Sequence, residues 1–514
     1  MTVFTATQRR QGRSRLVVPS PPDDHEKYSY VERNLTYLAT ILILGAGCLI
    51  TSQLRFETHD LALWPFMVFT ATYIAYQAIS IPVNFTGAGF DLVAHQARVS
   101  AWSPPSYPSV DIFLPVCGEP IEVLDNTWKA VSELVASYQG IATPFVLDDG
   151  ASDDARSLAE AFGFQYIRRP DRPAFKKAGN LRYAFARTQG EYLVILDADF
   201  APRSDFLAET LPYLEDPEVA IVQSPQYFRR SPRQTWIENS AGAVQEIFYR
   251  TVQMARNRFG QAICVGTSAV YRRTALEPFG GPTLIPYAED VHTGLDVRRA
   301  GWSMIYVPIL LSTGICPDNL DAFVRQQYRW CSGNVGIVFS WRLWSVPMTI
   351  PGRLTYISGF CYYVYTALLI FFGPLIPIVM LAFLPGQIEL RNFIILAPAM
   401  ITGLVLYPLW HRVGYGPSTW SLGIARGWAH LFAIWDGVRG KNMSWHPSRT
   451  PGSSLPRFRI GVTWWSGGAG LIWLVLSIWR MITAGSLRFE VLFFFAMVNL
   501  AVVSRVIFPG DEAA

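Results

Sequence analysis

Cysteine is scarce in this chain of 514 residues, which contains only six. They stand at positions 48, 117, 264, 316, 331 and 361, and no two of them form a C-x-x-C pair. Without such a pair the sequence suggests neither a zinc site nor a disulfide framework. We therefore expect most of these cysteines to be small, buried residues in a reducing compartment.

Charged residues are also few, at 16% of the chain, whereas about a quarter is usual in soluble proteins. Apolar residues make up 51%, and 17 residues are tryptophan, so the composition predicts a membrane protein. The net charge of +4 is too small to argue for a nucleic-acid partner. The first thirty residues lack an early apolar run, so we expect no cleaved signal peptide. Within them, Pro19–Asp24 is expected to belong to a flexible cytosolic tail.

Six apolar runs are long enough to cross a bilayer, which takes about 20 residues. Two lie within residues 31–85 and four within 346–510, namely Leu35–Leu54, Leu61–Val83, Tyr356–Leu384, Phe393–Trp410, Val462–Trp479 and Val491–Ile507. The basic N-terminus, with Arg9, Arg10, Arg13 and Arg15, is expected on the cytoplasmic side of the membrane; the resemblance described below implies a bacterial plasma (inner) membrane. Because two spans return the chain to its starting side, residues 105–345 are then also cytoplasmic.

An amphipathic stretch lies between the last two pairs of spans, at about residues 417–440. In Trp420–Val438, large apolar residues recur at helical spacing. Since spans flank it, we expect this helix to lie in the membrane interface. The alternative is a loosely packed cytoplasmic helix.

Residues 105–345 alternate short β-branched runs with helical stretches, which predicts an α/β domain with a parallel sheet. The predicted strands are Asp111–Val116, Pro144–Leu147, Gln165–Ile167, Tyr192–Leu196 and Val219–Gln223, and the predicted helices are Ile121–Ser137, Asp153–Phe162 and Lys177–Arg187. Ligands bind at the carboxyl ends of such strands. Two acidic clusters stand there, Asp148-Asp149-Gly150 and Asp197-Ala198-Asp199.

Two further segments follow in chain order, Ala288-Glu289-Asp290 and Gln326-Gln327-Tyr328-Arg329-Trp330. Together with the two acidic clusters they resemble the D, DxD, TED and QxxRW signature of processive membrane glycosyltransferases of family 2, which include cellulose, chitin and hyaluronan synthases. The resemblance implies a Rossmann-like GT-A cytosolic domain, inserted in a transmembrane domain of about six helices with interface helices. Any one of the four motifs alone would be weak evidence.

The resemblance also implies a role for each motif. Asp199 is expected to hold Mg²⁺ or Mn²⁺, since hard cations take carboxylate oxygens, and Asp290 in Ala288-Glu289-Asp290 is the expected general base, with Glu289 as the next candidate. Arg329 is expected to bind diphosphate oxygens bidentately, and Trp330 to offer a flat apolar face to the acceptor sugar. The remaining residues expected to bind substrate are Glu119, Asp148, Asp149, Lys177, Asp197 and Gln326. Among these, Lys177 opens a K-A-G-N segment like that of the family and is expected to contact phosphate.

The sequence departs from the family pattern at several places. Cys117-Gly118 replaces the aromatic start of the usual loop before Glu119, and Ala288 replaces Thr. Ile263–Thr267 stands where the family has an aromatic-rich acceptor segment, and Lys441–Thr450 stands in place of the gating loop. The chain ends soon after its last span, so we expect no cyclic di-GMP-binding PilZ domain.

The motifs favour an inverting hexosyltransferase that elongates a polysaccharide and secretes it. By resemblance to cellulose-synthase-like enzymes, UDP-glucose is the expected donor and a β-1,4, β-1,3 or mixed-linkage glucan the expected product, with accessory secretion subunits among the expected partners. A second hypothesis is a membrane transferase that adds one sugar to a lipid carrier. A third, a channel or transporter, leaves the acidic clusters at the strand ends unexplained.

Overall fold

The computed structural model describes residues 17–31, 35–87, 89–413, 416–441, 456–484 and 487–509. The basic residues Arg9 to Arg15 and nearly all of the segment expected to act as a gating loop, 442–450, lie outside these ranges. Within these ranges, the α-helices before the α/β domain are α1 Asp24–Lys27, α2 Leu35–Glu57, α3 Trp64–Asn84 and α4 Leu92–Ala101.

The α/β domain follows, with its sheet at the centre. Its strands are β1 Val110–Val116, β2 Ala142–Asp148, β3 Gln165–Ile167, β4 Tyr192–Ile195, β5 Ala201–Pro202, β6 Val219–Gln223, β7 Ala269–Arg272, β8 Ser303–Tyr306 and β9 Ser312–Thr313. Its helices are α5 Ile121–Ser137, α6 Asp153–Ala161, α7 Lys176–Phe185, α8 Phe206–Thr210, α9 Trp236–Ile247, α10 Met254–Asn257, α11 Arg273–Leu276, α12 Glu289–Arg299, α13 Leu320–Val338 and α14 Trp341–Ser345.

The seven-stranded sheet has the order β3-β2-β1-β4-β7-β6-β8. All strand pairs are parallel except those of β7, which runs antiparallel to β4 and β6. The expected parallel sheet is therefore confirmed except at β7, where the pairing is antiparallel. The loop before Ala269 leads into β7 at the end of the sheet where β4 finishes. A strand parallel to β4 would have to start at the opposite end, which needs a crossover connection. Apolar clusters cover both faces of the sheet, as expected for strands buried on both sides.

The remaining helices are mostly apolar: α15 Ile350–Phe372, α16 Leu375–Phe383, α17 Leu390–Ile401, α18 Tyr407–His411, α19 Pro417–Val438, α20 Pro456–Ile460, α21 Gly468–Ala484 and α22 Glu490–Ile507. Among the described residues, six helical segments are long and apolar enough to cross a membrane, two before the α/β domain and four after it. This agrees with the expected number of spans. Helix α19 is amphipathic and packs its buried face on α13 and α15.

The N-terminal segment corrects one prediction. Pro19–Asp24, expected to be flexible, lies against the α/β domain. Asn126 donates to the Pro19 carbonyl (2.7 Å), and Arg203 donates to the Pro22 carbonyl (2.6 Å) and to Asp24 (2.8 Å). The side chain of Lys27 then binds Glu209 at 2.5 Å. The composition of the segment predicted flexibility because the residues that hold it stand more than 100 positions away in the chain, where no local pattern reveals them.

Candidate active site

Three loops meet at one edge of the sheet, because β1, β2 and β4 are parallel neighbours that end at similar heights. Val116 at the end of β1 pairs with Asp148 at the end of β2, and its carbonyl accepts a hydrogen bond from the Asp149 amide (3.0 Å). Phe113 pairs with Ile195, two residues before Asp197. The predicted carboxylates at the strand ends are therefore brought to one place.

Asp148 is completely buried and holds the turn after β2. Its carboxylate accepts from the amides of Ala151 (2.9 Å) and Ser152 (2.8 Å) and from the Tyr166 hydroxyl (2.5 Å). With these contacts made inside the protein, Asp148 fixes the backbone that presents Asp149.

Asp149 is half-buried and forms a bidentate ion pair with Arg169, with Nε–Oδ1 at 2.7 Å and Nη2–Oδ2 at 2.6 Å. Arg169 also donates to the Lys176 carbonyl at the start of α7 (3.1 Å). The ion pair therefore ties the acidic turn to the K-A-G-N helix. No pattern in the sequence indicated Arg169 as a partner.

Glu119 lies in the loop after β1, and its side chain accepts from the Cys117 amide at 2.6 Å. Burial raises the pKa of Glu119; hydrogen bonds from the amides of residues 117 and 119 oppose the shift, and repulsion from Asp197 and Asp148 adds to it. The carboxyl therefore lies close to both acidic clusters. A partly buried carboxyl group here is suited to accept hydrogen bonds from a sugar or nucleoside hydroxyl.

Lys177 links the acidic cluster after β4 to the loop before β7. Its Nζ atom is 2.5 Å from Asp197 Oδ1 and 2.8 Å from the Gly266 carbonyl oxygen. Burial lowers the pKa of Lys177, but Asp197, Glu289 and Asp290 outweigh it, so the net shift is upward. Lys177 therefore stays charged, as the expected contact with phosphate requires. The Thr267 hydroxyl also accepts from the Asp197 amide (2.8 Å).

Asp290 lies in the first turn of α12, where its Oδ1 atom accepts from the Val291 amide at 2.8 Å. Burial, and then repulsion from Glu289, raises the pKa of Asp290 from its ordinary value to about 7, while Lys177 acts in the opposite direction. A base with a pKa near the working pH is the most effective. The chemistry of the site thus fits the role of general base expected for Asp290.

Gly266 has a left-handed φ of 74°, and a Cβ atom there would lie 2.9 Å from both Cβ and Oδ2 of Asp290. Only glycine combines this backbone with such a close approach. Gln223 holds the loop on both sides of Gly266. Its side chain accepts from the Val265 amide (3.0 Å) and donates to the Thr267 carbonyl (2.8 Å). Sequence reasoning did not assign roles to Gly266 or Gln223, although Gly266 belongs to the segment compared with the acceptor segment.

Helix α13 packs beside the site and carries Gln326, Arg329 and Trp330, which are all half-buried. It crosses the start of α12 closely: a Cβ atom on Gly333 would lie 2.6 Å from the Ala288 Cβ. Burial lowers the pKa of Arg329, and the charges of Glu289 and Asp197 oppose this, so the guanidinium lies within electrostatic reach of both. The helix therefore brings the last motif to the two acidic ones.

Asp199 is half-buried, two residues beyond Asp197 on the same turn. Among the described residues, no three His, Cys, Asp or Glu side chains converge as a complete metal cage. Mg²⁺ and Mn²⁺ in phosphate sites usually need only one or two protein carboxylates, since substrate oxygens and water complete the shell. The donor set therefore fits a divalent cation held jointly with a substrate phosphate.

Comparison with known proteins identifies the domain. Residues 146–333 match the model described as "Glycosyltransferase like family 2". "Cellulose synthase 1" of Komagataeibacter xylinus is 29% identical over 398 residues, which are 74% of this chain and 24% of that protein. "Cellulose synthase 1 catalytic subunit [UDP-forming]" of the same organism is 33% identical over 246 residues, 46% of this chain and 32% of that protein. The chain thus spans about a quarter to a third of the length of these relatives.

A solved structure, "Mannosyltransferase PcManGT from Pyrobaculum calidifontis in complex with GDP-Man and Mn2+", matches with 18% identity. The match covers 73% of this chain and 99% of that one at a TM-score of 0.49, which is too low to carry an argument of its own. The sheet order and the strand-end loops, together with the family match, give the domain the GT-A fold.

Proposed function

We propose that this chain, whose residues 146–333 match a family 2 glycosyltransferase and which resembles cellulose synthases, transfers glucose from UDP-glucose to the non-reducing end of a growing β-glucan and secretes the product. The observation that carries the proposal is the meeting of three elements around one loop. Lys177 bonds the Gly266 carbonyl, the Asp290 carboxylate lies against Gly266, and Arg329 lies within electrostatic reach of Glu289.

The donor diphosphate is bound on the Lys177 side of the site. Lys177 and the amino end of α7 present positive charge, which suits phosphate oxygens. A divalent cation, Mg²⁺ or Mn²⁺, held by Asp199 would neutralise charge on the leaving UDP. Asp149, directly after β2, and Glu119, in the loop after β1, would accept hydrogen bonds from the nucleoside.

Asp290 takes the proton from the acceptor hydroxyl as that oxygen attacks the anomeric carbon. The bond from this carbon to UDP breaks on the opposite face, so the configuration inverts. The raised pKa of Asp290 lets the carboxylate accept the proton near neutral pH. Trp330 offers its ring to the acceptor sugar, and Arg329, one position earlier on α13, binds the diphosphate.

Secretion is supported by polar side chains that pair between the spanning helices and the elements packed against them. Arg256 donates to Asn84 on α3 (2.8 Å) and to Ser358 on α15 (3.2 Å). Thr366 on α15 bonds His430 on α19 at 2.6 Å. Polar groups among membrane helices commonly mark a substrate path. The path proposed here leads from a cytoplasmic catalytic domain across a bacterial inner membrane.

The test is to incubate the purified protein, in lipid vesicles, with each common UDP-sugar and a divalent cation. We expect a long polymer from UDP-glucose that linkage-specific glucanases digest. A single sugar attached to lipid would favour the non-processive alternative. No transfer from any donor, with UDP binding intact, would contradict the proposed activity.

A further inference from the structure

Helix α13 carries polar atoms that the described protein leaves unpaired. Arg325 is only 6% exposed, and its Nε and Nη2 atoms have no hydrogen-bond partner among the described residues. The Gln326 Oε1 and Ser332 Oγ atoms on the same helix are also buried without a partner there. A buried, unpaired guanidinium is costly, because its desolvation is not compensated. A ligand that pairs it would remove this penalty.

The position of Arg325 on the helix places it beside the proposed diphosphate site. Arg325 and Arg329 are four residues apart, so they are neighbours on one face, with Cβ atoms about 5–6 Å apart. An adjoining side of α13, with Tyr328 and Cys331, packs on α19. Arg325 also contributes to the lowered pKa of Arg329, as two adjacent positive charges must.

The segment before α13 lies close to the Asp197-Ala198-Asp199 cluster, which is expected to hold the metal. Gly314 lies directly against the ring of Phe200, the residue after Asp199. Arg325 is one helical turn nearer to this start than Arg329 is.

We propose that Arg325 and Arg329 together bind the diphosphate of the donor, one guanidinium for each phosphoryl group. The inference rests on the proposed function, since the diphosphate is the anion which that reaction supplies. Two cations one helical turn apart repel each other when no ligand is bound. An anion between them attracts both, and this attraction offsets the repulsion. Arg325 thereby also contributes to the charge stabilisation of departing UDP.

The test measures UDP and uridine affinity by calorimetry, and thermal unfolding with and without UDP, on the purified full-length protein. Arg325→Met removes the charge but keeps an apolar side chain, and we expect it to weaken UDP binding about 10- to 100-fold, the value of one or two charged hydrogen bonds. Uridine, which has no phosphate, should bind as to the wild type. Without UDP the variant should unfold at the same or a higher temperature, because a buried unpaired charge has been removed.

Two variants complete the design. Arg325→Lys keeps the charge and should lose less affinity for UDP than Arg325→Met does, and it serves as the test if the Met variant does not fold. Arg299→Gln removes a guanidinium from the far end of α12, where it pairs with Asp296, and should leave UDP affinity unchanged.

Wild-type UDP affinity in both Arg325 variants would overturn the inference, as would equal losses for UDP and uridine. Shortened polymer with unchanged UDP binding would also overturn it, since Arg325 would then act on the acceptor. Failure of the wild-type protein to bind UDP is a different result, because it would contradict the proposed function itself.

Discussion

Glu289 contributes to the raised pKa of Asp290, so Glu289→Gln should move the pH dependence of glycosyl transfer. After burial, repulsion from Glu289 is the largest cause that raises the Asp290 pKa to about 7. The amide removes that charge but keeps the size of the side chain. Because repulsion between carboxylates stabilises the protonated form, its loss must lower the pKa of Asp290. We expect a decrease of about one unit, equivalent to about 1.4 kcal/mol.

The size of the effect follows from the fraction of ionised Asp290. With a pKa of about 7, only about a tenth of the molecules hold an ionised base at pH 6. A pKa lower by one unit raises this fraction to about a half, so the rate at pH 6 should increase about five-fold relative to the plateau. Above pH 8 both proteins are ionised, and the variant should have a slightly lower plateau because its base is weaker.

The assay is UDP release from UDP-glucose at saturating substrate, from pH 5 to pH 9. Glu122→Gln, at an exposed position at the start of α5, is the control and should leave the profile unchanged. Asp290→Asn should retain UDP binding while transfer falls by about 10²–10⁴-fold. In Glu289→Gln the fall in rate towards acidic pH should occur at lower pH than in the wild type. If it stays at the same pH, or moves to higher pH, the reasoning is refuted. Wild-type turnover in Asp290→Asn would place the base elsewhere, with Glu289 as the next candidate.

Three further changes test other parts of the site. Asp199→Asn should abolish turnover, because an amide is a poorer ligand for a hard cation, and full activity in excess chelator would contradict this. Trp330→Ala should reduce polymer yield far more than UDP binding, since stacking on an aromatic ring is worth about 1–3 kcal/mol; an unchanged yield from folded protein would remove Trp330 from the acceptor site. Gly266→Ala should lower the rate by displacing the Asp290 carboxylate, 2.9 Å from the new Cβ. Gly260→Ala is its matched control, with a similar φ of 65° and no atom within 4 Å; equal rates in the two variants would show that the contact with Asp290 is unimportant.

The strand-end motifs could be predicted from the sequence because each is encoded locally. An apolar run followed by Asp148 or by Asp197 is a buried strand with a polar end, and parallel strands bring such ends together. The spacing of Gln326 and Arg329 likewise predicted a helix, and α13 contains both. The six spans follow from the length of the apolar runs.

Other features depend on contacts that no local pattern reveals. The Asp149–Arg169 ion pair joins residues 20 positions apart, and the N-terminal segment finds its partners more than 100 positions away. That Asp148 also shapes the turn, through three hydrogen bonds from protein groups, was not predicted, and its expected contact with substrate stays a prediction. The antiparallel strand β7 was not among the predicted strands, and its direction depends on pairing with β4 and β6, which no local pattern shows.

The most direct test of the central claim is the product formed by the purified protein in sealed vesicles, with radiolabelled UDP-glucose supplied on the side that holds the catalytic domain. The account predicts a polymer that grows with time, is digested by a β-glucanase specific for its linkage, and becomes sensitive to that enzyme on the opposite side of the bilayer. A labelled product limited to one sugar on a lipid, or a polymer accessible only on the side of synthesis, would contradict it.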